Sequence, residues 1–60
     1  MTEKEILNWM RNKVKSDGFT DAATLAEGFL DTHNVTDALH PDFTKSLDAG
    51  FKIAQEVLDF

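Results

Sequence analysis

Both histidines of the chain fall in one stretch, D-T-H-N-V-T-D-A-L-H-P-D-F, residues 31 to 43, with the only proline and the acids Asp31, Asp37 and Asp42. Imidazoles with a carboxylate between them are zinc-ligand chemistry. His33, Asp37 and His40 offer three donors, where a zinc site needs three or four converging at about 2.0 to 2.2 Å. Their spacing matches no ligand signature. Asn34 favours the left-handed conformation that ends a helix, and Pro41 prevents one helix from running through the segment, so no regular element holds the imidazoles together. Neither metal nor cofactor is expected. His33 reads as a residue at the negative end of one helix, and His40 as one that caps or precedes the next.

Nucleophilic chemistry is equally poor in candidates. A hydroxyl nucleophile needs a base within reach, an orienting group and a cleft that excludes water. The chain has no cysteine or tyrosine and two serines, Ser16 and Ser46, neither with an expected histidine neighbour. Its carboxylates fall on expected solvated faces, where nothing shifts their pKa values. The three glycines, Gly18, Gly28 and Gly50, are too scattered to cradle a phosphate. No enzymatic activity is expected.

Two surfaces suit binding instead. On one helix Lys4, Arg11 and Lys15 make a basic stripe with Trp9 on its flank, and Trp9 and Arg11 are of the residue types enriched at interface hot spots. Glu27, Asp31, Asp37, Asp42, Asp48 and Asp59 would make an acidic surface that a basic partner could read. The charge is unevenly spread. Residues 1–16 set Lys4, Arg11, Lys13 and Lys15 against Glu3 and Glu5, for +2, while residues 17–60 set nine acids against Lys45 and Lys52, for −7. Such a field repels polyphosphate and attracts basic proteins. Opposite charge on separate faces is also compatible with a homodimer.

The elements that would position these residues follow from period and caps. Thr2 and Glu5 form a capping box, and Ile6, Leu7, Met10 and Val14 share one face of a helix over 3–15 that breaks at Gly18. Thr20 or Asp21 opens a second helix, 21–33, with Ala22, Leu25, Ala26, Phe29 and His33 inward and Gly28 exposed. Pro41 and Asp42 open a third, 41–58. Phe43, Leu47, Gly50, Phe51, Ala54, Val57 and Leu58 form its broad apolar stripe, flanked by Ile53 and Phe60, and Asp48 and Lys52 are spaced as an i,i+4 pair. The stripe is wide enough to meet two helices, and Gly50 would allow one to approach closely. A short helical turn over 36–39 would let Val35 and Leu39 close one end of the core. No period-2 alternation persists, so the expected fold is an all-α three-helix bundle with the third helix central.

Sixty residues allow one domain. The absence of cysteine fits a reducing cytoplasm. No apolar run approaches the roughly 20 residues of a membrane span, and M-T-E-K-E lacks the layout of a signal peptide. Two other functions were weighed beside protein binding. A-T-L-A-E-G-F-L resembles the first helix of helix-turn-helix DNA-binding units, but those join their helices by about three to four residues. Here seven, Asn34 to His40, intervene, and the third helix is acidic. An acidic face could also imitate nucleic-acid phosphates. The expectation is a small acidic regulator or inhibitor that binds a basic protein, with nucleic acid and membrane disfavoured.

Overall fold

The computed structural model describes residues 1–59; Phe60, expected on the flank of the third helix, lies outside the described residues. Three helices pack together, α1 (Glu3–Asp17), α2 (Ala22–Thr32) and α3 (Pro41–Leu58), with no strand among the described residues. The protein is a small all-α three-helix bundle. α3 is its centre, packing on both other helices, which touch each other least.

Each helix begins where its sequence provides an acceptor for the free N–H groups of the first turn. At α1 the Glu5 N–H donates to Thr2 Oγ1 at 3.2 Å and the Thr2 N–H to Glu5 Oε1 at 3.1 Å, a complete capping box. At α2 Asp21 is the cap, accepting from the Thr24 N–H at 2.7 Å. At α3 His40 Nδ1 accepts from the Asp42 N–H at 3.1 Å, and Pro41 opens the helix.

The ends are equally local. Gly18, with φ of 84°, closes α1 by donating to the Val14 carbonyl. Asn34, with φ of 56°, turns the chain out of α2. There the Val35 N–H reaches back to the Leu30 carbonyl at 2.9 Å and the Asn34 N–H to that of Asp31 at 3.3 Å, the paired bonds of a Schellman motif. The segment over 36–39 is a turn, not a helical turn. The His40 N–H bonds the Asp37 carbonyl, and the Asp37 side chain accepts from the Leu39 N–H, both at 2.9 Å. Asp37 thus satisfies its turn locally, and Leu39 is 90% exposed instead of closing the core. Val35 alone packs against it.

Ile6, Met10, Leu25, Ala26, Phe29, Leu30, Ala49 and Ile53 form the core. Leu30 joins the expected inward face of α2. The rotation of α3 differs more from expectation. Its buried residues are Asp42, Ser46, Ala49, Gly50 and Ile53, and the larger Leu47, Phe51 and Leu58 point outward. Buried Ser46 is satisfied by donating from Oγ to the Phe43 carbonyl at 2.7 Å. A Cβ at Gly50 would lie 2.8 Å from the Ala22 carbonyl oxygen, so α2 crosses α3 at van der Waals distance from bare backbone.

Gly28 is half-buried, not exposed, because the Trp9 ring lies over it. A Cβ there would meet the Trp9 ring at 3.9 Å, an ordinary contact. The two glycines therefore predict opposite outcomes. Gly28→Ala should raise stability by up to about 1 kcal/mol through helix propensity, roughly 4–8 °C in Tm for a chain this small. Gly50→Ala should cost about 1–3 kcal/mol, because backbone must move. Thermal unfolding followed by circular dichroism checks both, and equal shifts would contradict the close approach at Gly50.

Candidate protein-interaction surfaces

The residues singled out for chemistry do not converge. His33 faces inward at the end of α2, its Nδ1 donating to the Phe29 carbonyl at 2.9 Å and its ring stacked on Phe29 at 4.2 Å. His40 caps α3. Ser16 donates to Asp17 and Ser46 to Phe43, and neither bonds to a histidine. Among the described residues no three His, Asp or Glu side chains are grouped to hold a metal ion. The hollows on the surface are open depressions, not enclosed cavities.

On α1 the three candidate binding residues have different surroundings. Trp9 is half-buried, edge-on to Phe29 at 5.5 Å and to His33 at 5.8 Å, so most of its ring covers the core edge. Arg11 makes a fork of bonds to Glu56 of α3, the shortest 2.9 Å from Nη2 to Oε1. Lys15 is exposed beside Val14 and Val57, in a groove between α1 and α3 that Arg11 and Glu56 border.

Of the acids, Glu27, Asp31, Asp37 and Asp48 are exposed, as is Asp59. Asp42 is not part of that surface. It is 8% exposed, and its carboxylate accepts from the α-amino group of Met1 at 3.2 Å. It begins α3 on the inward side, where α1 enters the bundle. The expected Asp48–Lys52 pair is also absent, because Lys52 reaches across to Glu3 of α1. Asp48 is left outward with no ion pair among the described residues.

Contrary to the expectation that nothing shifts the carboxylates on solvated faces, three are held below their ordinary range by local bonds: Glu5 by the Thr2 backbone N–H, Asp17 by the Lys13 ammonium, and Asp21 by the Thr24 backbone N–H. A carboxyl depressed in the folded state contributes stability above its unfolded pKa and loses it as pH falls through the folded value.

The residues that composition and period did not mark as a surface are apolar. Leu47 is 39%, Phe51 65% and Leu58 76% exposed, on one outward stripe of α3 with half-buried Ala54 between them. One signal for them was present in the sequence. The apolar arc of α3 takes up nearly half its circumference at about 100° per residue, and α1 and α2 leave its Leu47–Phe51–Leu58 edge uncovered.

No protein-family model matches the chain, and no curated protein and no solved structure is significantly similar to it. Fold and surface define its class, a three-helix bundle with exposed acids and one uncovered apolar stripe. No described helix is long and apolar enough to cross a membrane.

The capping acids supply the prediction here. Asp21→Asn keeps the acceptor for Thr24 but removes the titrating group, so its Tm should match the parent near the acid limit and fall less steeply with pH. Asp21→Ala should lower Tm at neutral pH. A set of thermal melts across the acidic range checks both, and parallel pH profiles for parent and Asp21→Asn would show that this carboxylate contributes nothing.

Proposed function

We propose that the protein is a non-enzymatic, cytoplasmic interaction module that binds a basic protein and acts as its regulator or inhibitor. The observation that carries this reading is the imbalance of unpaired charge. Arg11, Lys13 and Lys52 are each matched to a carboxylate, and Lys45 donates to the Met1 carbonyl. Among the described residues this leaves only Lys4 and Lys15 as side-chain cations without such partners. Exposed Glu27, Asp31, Asp37, Asp48 and Asp59 have no ion pair there. Ion pairing removes equal charge of both signs and leaves the net of −5 in place, carried by acids that are free of ion pairs.

That field fits a basic partner in both speed and selectivity of encounter. It fits nucleic acid poorly, because residues 42–59 carry four acids against two lysines, and of these acids Asp48 and Asp59 are exposed with no ion pair among the described residues while Lys52 is paired to Glu3. The helix-turn-helix reading weakens for the same reason, and further because the chain between α2 and α3 is a Schellman turn followed by a separate turn at Asp37.

Capture by the immobilised protein from a lysate, followed by mass spectrometry, should yield a basic protein that elutes as salt rises. Asp31→Lys with Asp48→Lys should reduce capture by about tenfold or more. DNA and RNA should not be retarded at about 50 mM salt, where phosphate contacts are strongest. Capture that survives both reversals and is lost in Trp9→Phe, a variant that keeps an aromatic ring on the core edge, would move the interface to α1.

A further inference from the structure

We infer that the outward stripe of α3 is a docking groove for a basic amphipathic helix of a partner protein. The inference rests on the acidic-module reading above and supplies the geometry that charge alone leaves open. Leu47, Phe51, Ala54 and Leu58 recur at i, i+4, i+7 and i+11, so they lie in one row, about 16 Å long at 1.5 Å per residue. Three turns of a partner helix span that length.

The row has relief. On one side of Phe51 a hollow is lined by Asp21, Ala22, Ala23 and Leu47, and on the other a hollow is lined by Ala54, Gln55, Leu58 and Asp59. The alanines of α2 and α3 make the floors, and the Phe51 ring stands as a ridge between them. Apolar side chains from a partner helix can seat on either side of that ridge, which is how amphipathic helices dock into grooves. Apolar area of this kind with a polar rim marks an interaction site, because an isolated soluble chain gains nothing by exposing it.

The rim selects the occupant. Asp21 borders one hollow and Asp59 the other, and Asp48 stands one turn from Phe51 on the same helix. No lysine or arginine lines either hollow. The nearest cation on α3, Lys52, is turned away to Glu3. A second copy of this chain would bring the same acids against one another across a two-fold axis. Anionic lipid surfaces meet the same repulsion. A helix with apolar anchors along one face and lysines or arginines beside them matches both the floor and the rim.

The test uses the full chain and a synthetic peptide with leucines at i, i+4, i+7 and i+11 and lysines on the flanking positions. A scrambled peptide of equal composition, unable to place its leucines on one face, is the control. The patterned peptide should shift the amide resonances of Ala22, Ala23, Leu47, Phe51 and Leu58 and bind about tenfold or more tightly than the scrambled one. Phe51→Ser and Asp48→Lys should each weaken it by about tenfold, with melting temperatures near the parent's because both side chains are outward. Leu47→Ser serves as a second variant. Equal binding of both peptides, lost in Asp48→Lys but kept in Phe51→Ser, would overturn the groove and leave the acidic module standing. No binding of either peptide at low salt would overturn both. A dimer in sedimentation that Phe51→Ser dissociates would assign the face to a second copy and overturn the inference.

Discussion

The contact on which the rest of the bundle depends is the crossing of α2 over Gly50. The Ala22 carbonyl oxygen occupies the space where any other residue would place its Cβ. Such proximity requires small side chains along the seam, and α3 provides Ser46, Ala49 and Gly50 on that side. Once those positions face inward, the helical period fixes everything else on α3. Asp42 and Ile53 turn toward the core, and Leu47, Phe51 and Leu58 turn out. The exposed stripe is therefore a geometric consequence of the tight seam, not an unfilled part of the core. Burying Leu47 and Phe51 instead would force α2 away from α3 and leave Phe29 and Leu30 less well packed.

The opposite flank of α3 is joined to α1 by charge. Glu3 meets Lys52 and Arg11 meets Glu56, both pairs about half exposed. Pairs of this kind contribute only about 0–1 kcal/mol each, so they are poor candidates for what holds α1 in place. Burial of Ile6 and Met10 does that. The pairs matter for the surface. They neutralise Arg11 and Lys52 along the α1–α3 seam, where Lys15 stays unpaired, while Asp48 of α3 and Glu27 and Asp31 of α2 have no ion pair among the described residues. Packing thus places the paired charges between α1 and α3, while Asp48, unpaired, stands beside the apolar stripe.

Signals that act within a few residues were legible in the sequence. Thr2 with Glu5, a cap at Thr20 or Asp21 that proves to be Asp21, Pro41 at the start of α3, Gly18 and Asn34 at helix ends all act on neighbours along the chain. So was the central role of the third helix. What was not legible depends on which neighbour arrives from another helix. Size misled the reading of α3, because large apolar residues suggest burial while the seam selects small ones. Gly28 looked exposed because nothing local indicates that Trp9 will lie over it. Asp48 and Lys52 had ideal spacing, yet Glu3 of another helix took the lysine. Asp42 looked like a surface acid from its place in the first turn of α3, and its burial depends on how α1 enters the bundle. For the candidate site, the acids were readable as a charge excess, whereas the wide apolar arc of α3 did not tell which of its residues would stay outside.

The stretch D-T-H-N-V-T-D-A-L-H-P-D-F joins these points as a connection set by local bonds. Asn34 sets the exit from α2, the Asp37 side chain accepts from the Leu39 N–H within its own turn, and His40 caps α3. These local bonds lead the chain from the end of α2 to the start of α3, whose crossing at Gly50 places Ala22 and Ala23 beside Phe51. A core as small as that of a 60-residue chain leaves little stability in reserve. Any ligand that binds only the folded chain adds stability in proportion to the logarithm of its saturation. An occupant of the α3 stripe would thus both cover the largest outward apolar side chains and reinforce the helix pair that forms its floor, coupling what the protein binds to how firmly it is folded.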